Sequence, residues 1–210
     1  MERPILFSGP MVRAILRGQK TQTRRVIKGP AEGYNAHGIN TLFRCPYGKP
    51  GDILWVRETW AEVGSFDPGI TVYRADYPDC IPGQFENVPE SIEEMGNVWK
   101  PSIHMHRHRC RLLLEIVSVR AERLHDLSQE DAKAEGLSRL SKDGGATYKY
   151  GIPDRDGLPG NDNDGWHWHE WEVDPRKAFK LLWAKINGVK NWYANPWVWV
   201  VEFKRVTADE

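Results

Sequence analysis

Residues 18–25 read GQKTQTRR. Two threonines, one lysine and two arginines crowd into this stretch, directly after an apolar run. In that run Met11, Val12, Ile15 and Leu16 recur at helical spacing. Pro10 suits a first helical turn, and Gly18 suits the left-handed position that ends one. The spacing therefore predicts a helix over 10–17, with the polar stretch starting where it stops. Such a stretch is a solvated helix end, an anion or nucleic-acid contact, or half of an active site. The surrounding sequence has to choose among these.

Downstream, residues 29–50 are rich in Gly, Pro, Asn and Tyr and read as loop. Pro50-Gly51-Asp52 signals a turn before a strand over Ile53 to Trp60. Residues 61–100 are acidic, broken by Pro and Gly, and read as a long insertion with at most a short hairpin. RLLLEIVSVR, 111–120, has the Leu, Ile and Val density of an interior strand. Ser128 and Asp131 resemble a capping box that opens a second helix, and Gly136 is a natural stop. Residues 138–173 hold many Gly, Asp, Asn and Pro and read as a second long loop. Asp174-Pro175 starts a third helix with a buried stripe of Phe179, Leu182, Trp183 and Ile186, ended by Asn187-Gly188. WVWVVEFKRV, 197–206, is a closing strand with Trp197, Trp199, Val201 and Phe203 on one face. The expected fold is α+β: a single domain over 1–210, with a small barrel-like sheet surrounded by helices and insertions at about 61–100 and 138–173.

The 29 basic and 29 acidic residues cancel, so the whole chain is no polycation. The balance is local, however. Residues 1–60 carry ten Lys/Arg and four Asp/Glu, whereas 61–99 carry one Arg and eight acids. That pattern predicts a basic face and an acidic insertion. Cys45, Cys80 and Cys110 have no metal-ligand spacing and read as reduced thiols. With no secretory h-region and no run of transmembrane length, the sequence reads as cytoplasmic, with no membrane partner.

Four ordered landmarks carry a family resemblance. Gly18, Lys20, Thr23 and Arg25 fill the places of the signature of the ASCH family, a branch of the PUA-like β-barrels. KPGDIL at 49–54 is similar to its Gly-Asp strand entry, Leu127 to Gly136 to its helix after the central strand, and Val200 to Phe203 to its closing strand. The longer stretches PILFSGPMVRAIL, CPYGKPGDILWVRETW, KPSIHM and NPWVWVVEFKRV resemble larger members carried by bacteriophages and prophages. One compact member type is the N4-acetylcytidine amidohydrolase, whose catalytic Lys, Thr and Glu correspond to Lys20, Thr23 and Glu135. Many other members have Glu where this chain has Thr23, so the departure is toward the hydrolase. The resemblance implies a barrel fold, a nucleoside or modified-nucleobase substrate and no cofactor.

The chemistry fits these residue types. Amide hydrolysis needs a nucleophile, a proton acceptor and oxyanion support. Lys20 accepts a proton only if desolvation and neighbouring cations such as Arg24 and Arg25 lower its pKa. In this reading Lys20 activates Thr23 or a water held by it, and Glu135 orients the lysine or delivers a proton to the leaving amine. Arg25 holds the acyl, ribose or phosphate oxygen, with Arg24 beside it. Trp60 and Arg57, at a strand end, are candidate lining for the pocket mouth. His104, His106 and His108 would share a strand face, and His167 and His169 form a second group, but no acidic or Cys ligand completes a metal site. Asp162 and Asp164 read as solvated loop. The competing function is an RNA or modified-base binding module, which would also take single-stranded nucleic acid and have ribonuclease activity in one version. It draws on the basic N-terminal part and the His/Arg-rich stretch 104–111. A structural role in a phage needs none of this chemistry.

Overall fold

The polar stretch is not a loop. Gln22–Val26 is an edge strand of the central sheet. The computed structural model describes residues 1–28, 34–35, 38–39, 45–64, 69–83, 88–89, 91–160 and 164–206. In chain order the elements are β1 (Glu2–Leu6), α1 (Gly9–Leu16), β2 (Gln22–Val26), β3 (Tyr34–Asn35), β4 (Gly38–Ile39), β5 (Ile53–Arg57), β6 (Trp60–Val63) and β7 (Ile70–Tyr73). There follow α2 (Ile92–Met95), β8 (Leu113–Arg123), α3 (Gln129–Ala134), β9 (Ser138–Leu140), β10 (Lys149–Gly151), α4 (Pro175–Asn187), α5 (Val189–Tyr193) and β11 (Trp197–Arg205).

The fold is α+β around a five-stranded sheet of order β1-β5-β8-β11-β2. β1 runs parallel to β5, and the other pairings are antiparallel. β8 and β11 form the spine, with a register shift at Glu202/Phe203. Leu54, Leu114, Ile116, Val198, Val200 and Phe203 bury the centre of the sheet, and Ala178, Phe179 and Trp183 bring α4 into the same core. Such burial, at about 25 cal/mol per Å² of apolar surface, is the main source of stability.

The expected barrel does not close among the described residues, since β1 and β2 are not paired with each other. Both edges resist pairing for local reasons. Pro4 lacks a donor in β1, which confines that strand to an edge. β2 presents Gln22, Thr23, Arg24 and Arg25, a sequence that discourages further strand addition. The side chain of Arg25 reaches across the opening and donates from Nη2 to the Leu6 carbonyl at 2.7 Å.

Several other expectations need adjustment. Ile186, assigned to a buried stripe, is 62% exposed. The 138–173 region contains the β9–β10 hairpin, and Tyr150 bridges to Glu172. The insertion over 61–100 carries the β6–β7 hairpin, α2 and a small core of Ala61, Val72, Tyr77 and Met95. His104 and His108 lie in 3-10 turns and His106 in the extended link between them rather than on a strand, and the His106 and His108 rings stack at 5.7 Å. Among the described residues no group of three or more His, Cys, Asp or Glu side chains gathers as a metal site would. Asp162 lies outside the described residues, and no described helix is long and apolar enough to cross a membrane.

The capping box that opens α3 forms as the sequence suggests. Ser128 Oγ accepts from the Asp131 amide at 3.0 Å, and Asp131 Oδ2 accepts from the Ser128 amide at 3.4 Å. A Ser128→Ala protein should lose about 1 kcal/mol of stability in urea unfolding, the cost of one lost cap.

Candidate functional site

Lys20 enters the interior because the chain turns there with glycine at both crossings. Gly18 takes a φ of +72 after α1, and the amides of Gln19 and Lys20 donate to the Ala14 carbonyl at 2.8 and 3.0 Å. A single antiparallel bridge then pairs Lys20 with Glu135, and the Thr21 amide donates to the Ala134 carbonyl at 3.0 Å. Gly136 allows this approach. Its φ is +99, and a Cβ there would stand 3.0 Å from Ala14 Cβ and 3.1 Å from Lys20 Cβ.

The resulting cluster is deeply buried. The Lys20 ammonium donates to the Gln22 carbonyl at 2.8 Å, the Glu135 carbonyl at 2.8 Å and Glu135 Oε2 at 3.0 Å. These three acceptors match the three protons of an ammonium. Glu135 Oε1 accepts from Arg24 Nη1 at 3.1 Å. Arg24 also meets Glu122 at 2.5 Å and Asp131 at 3.3 Å, and its side chain is fully buried. Arg120 closes the outer end, pairing with Glu122, Asp131 and Glu202. A chain of alternating charge thus runs from Lys20 through Glu135 and Arg24 to Arg120 and Glu202. Burial pushes the Lys20 amine below the usual lysine range; Glu135 pulls it back up, and Arg25 and Arg24 push it down.

This cluster forms the floor of a cleft of about 370 Å³, a size suited to a small-molecule ligand. Lys20, Thr23, Arg24, Arg25 and Glu135 all line it. Leu6 and Phe7 come from the end of β1 and the residue after it, and Thr23 to Val26 from β2, so the cleft occupies the gap between the two sheet edges. Phe179, Leu182, Trp183 and Ile186 of α4 form the opposite wall. The Thr23 hydroxyl makes no hydrogen bond to a described residue, so Lys20 does not contact it directly.

Trp60 and Arg57 are not part of this cleft. Trp60 turns into the insertion, is 4% exposed, and has the Lys100 ammonium 4.6 Å from its ring centre. Arg57 stacks 5.5 Å from the Trp55 ring centre. The two non-strand residues Glu58 and Thr59 separate β5 from β6, and that break carries Trp60 away from the strand end expected to face a pocket. Sequence reasoning missed Ser8, Lys28, Tyr47 and Asn187 as lining, since none stands in a pattern. Arg120 and Glu122 left a faint trace, two opposite charges at strand spacing towards the end of an apolar-rich strand.

Removing one member of a buried ion cluster leaves its partners uncompensated. Glu135→Ala should therefore cost about 3–5 kcal/mol in urea unfolding, far more than an exposed Glu130→Ala. Acid should weaken the same cluster. Burial raises Asp131, but the Ser128 hydroxyl and Arg24 outweigh it and hold the carboxyl below its usual range. Glu202 is held down chiefly by the Ser118 hydroxyl, with Arg120 adding to it. Stability from these groups is present above the ordinary carboxylate pKa of about 4 and is lost as pH falls through their lowered folded values. Urea midpoints followed downward in pH should drop across that window, and the drop should be shallower in Arg120→Gln.

No family model, no curated protein and no solved structure matches this chain.

Proposed function

We propose that the cleft hydrolyses an amide on the exocyclic nitrogen of a cytidine-like nucleobase, within an ASCH-like, PUA-related fold. The observation that carries this reading is the convergence of Lys20, Thr23 and Glu135 from separate elements on the floor of one cleft. A lysine buried in a cleft, with its pKa lowered by desolvation and nearby cations, is a frequent mark of proton-transfer chemistry. The resemblance of GQKTQTRR and of the Glu135 helix to N4-acetylcytidine amidohydrolases points to the same three residues and to the acylated base.

The chemistry follows from the hydrogen bonds. The Gln22 carbonyl, the Glu135 carbonyl and Glu135 Oε2 fill every position on the Lys20 ammonium, so in this mechanism the neutral amine releases one of them and turns its lone pair to a water that the free Thr23 hydroxyl holds. That water attacks the acyl carbon, and its proton passes to Lys20 Nζ. The ammonium so formed finds the Gln22 carbonyl, the Glu135 carbonyl and Glu135 Oε2 already in place. Preorganised acceptors of this kind stabilise charge as it develops. Lys20 then returns the proton to the leaving nitrogen as the carbon–nitrogen bond breaks, giving a carboxylic acid and the free amine. Glu135 acts as a positioning residue, since both of its oxygens are engaged by Lys20 and Arg24.

The test is cleavage of N4-acetylcytidine followed by ultraviolet absorbance. Wild type should turn over, with a rate that rises with pH through the lowered pKa of Lys20. Lys20→Met should lose about 10²–10⁴-fold in kcat, the usual worth of a positioned base. Thr23→Val should keep a small residual rate if it holds water. No turnover by a folded wild-type protein would reject the hydrolase and favour a module that binds RNA or a modified base.

A further inference from the structure

Charge around the cleft is unequally matched. Lys20 pairs with Glu135, and Arg24 with Glu135, Glu122 and Asp131. Arg25 and Lys28 also line the cleft, yet neither forms an ion pair with a described residue. Arg25 is half-buried, its guanidinium gives one hydrogen bond, to the Leu6 carbonyl, and its Nε is buried without a partner. Its plane lies 5.3 Å from the Phe7 ring centre, which fixes the fork rather than neutralising it. No carboxylate of a described residue stands beside this guanidinium, and its planar donors suit phosphate oxygens. One further donor stands in the same wall: Ser8, the residue that starts α1, makes no capping bond with its side chain. The start of an eight-residue helix adds a partial positive charge beside it.

The geometry points to an anion subsite in this cleft, formed by Arg25 and Lys28 with the hydroxyl of Ser8, that takes the phosphate of a nucleotide. This inference rests on the nucleoside reading of the cleft and narrows it, because a neutral nucleoside would leave both cations unmatched. The shared chemistry is a phosphate attached to ribose, either the monoester of a free nucleotide or a diester within a strand.

Calorimetric titration tests it without requiring turnover. Wild type is titrated with cytidine and with cytidine 5′-monophosphate at one ionic strength. The monophosphate should bind at least about tenfold more tightly, the worth of one charge-assisted contact. Arg25→Gln should abolish that gain. Lys28→Gln, at an exposed position, should reduce it, and it serves if the first variant misfolds. A cytidine trinucleotide without terminal phosphate separates the sources. An Arg25-dependent gain with the trinucleotide identifies a strand phosphate, and a gain confined to the monophosphate identifies a free nucleotide. Equal affinity for cytidine and both phosphorylated ligands overturns the subsite. Ribose 5-phosphate, which lacks a base, keeps the two readings apart. If it binds in an Arg25-dependent way while N4-acetylcytidine is not cleaved, the hydrolase fails and the subsite stands. Cleavage of N4-acetylcytidine with no phosphate-dependent gain leaves the hydrolase standing and removes the subsite.

Discussion

Burying the ammonium of Lys20 is the constraint around which the central part of this molecule is arranged. An isolated charge in the interior is strongly unfavourable, and it becomes tolerable only with acceptors on every proton and a counter-charge in contact. Here the Gln22 carbonyl, the Glu135 carbonyl and the Glu135 carboxylate meet that requirement. Meeting it brings the end of α3 against the turn after α1, with glycine at position 136, where a φ of +99 and close neighbours disfavour a side chain. It also draws Arg24 inward to balance Glu135, and Arg24 in turn engages Glu122 and Asp131. The same strand that supplies these charges is therefore a poor partner for another edge. The opening between β1 and β2 and the buried ion cluster have one cause.

This explains which parts of the fold were legible in the sequence. Elements held by apolar burial announced themselves: the 10–17 helix, the strands around 111–120 and 197–206, the helix after Asp174, and the Ser128 cap. β2 did not, because its buried residues are Gln22, Thr23 and Arg24, satisfied by hydrogen bonds and ion pairs that no hydrophobic periodicity reveals. β1 was obscured by Pro4 and by its short length. For the site, Lys20, Thr23, Arg24, Arg25 and Glu135 were nominated from residue type and family resemblance, and they meet in space. Trp60 and Arg57 were nominated from strand position alone. The break at Glu58 and Thr59 separates them from the cleft, and a turn of that kind depends on the tertiary docking of the insertion.

The uneven charge along the chain also acquires a different meaning. Among the described acids of the insertion, Glu62 and Asp76 are used internally, whereas Asp79, Glu93 and Glu94 are exposed. Arg111 grips Glu58 and Asp76 with a double fork, with distances of 2.7–2.9 Å. Glu62 is shared by Lys100 and Arg109, and Arg107 pairs with Glu2. The His/Arg-rich stretch therefore works as a clasp for the β6–β7 hairpin, and its arginines are largely committed before any nucleic acid arrives. Arg25 and Lys28, by contrast, line the cleft with no ion pair to a described residue.

The position of β2 in the sheet has a consequence for assembly. Its only strand partner among the described residues is β11, which follows it by most of the chain. During synthesis, α1 and the polar stretch emerge early, but the edge that carries Thr23 and Arg25 has no ladder until the final strand is available. Contacts of such long sequence separation form late. A growing chain can thus complete its hydrophobic helices and the β5–β8 pairing while the cleft is still unformed. The wall that β2 gives the cleft is held in its ladder only once β11 is in place.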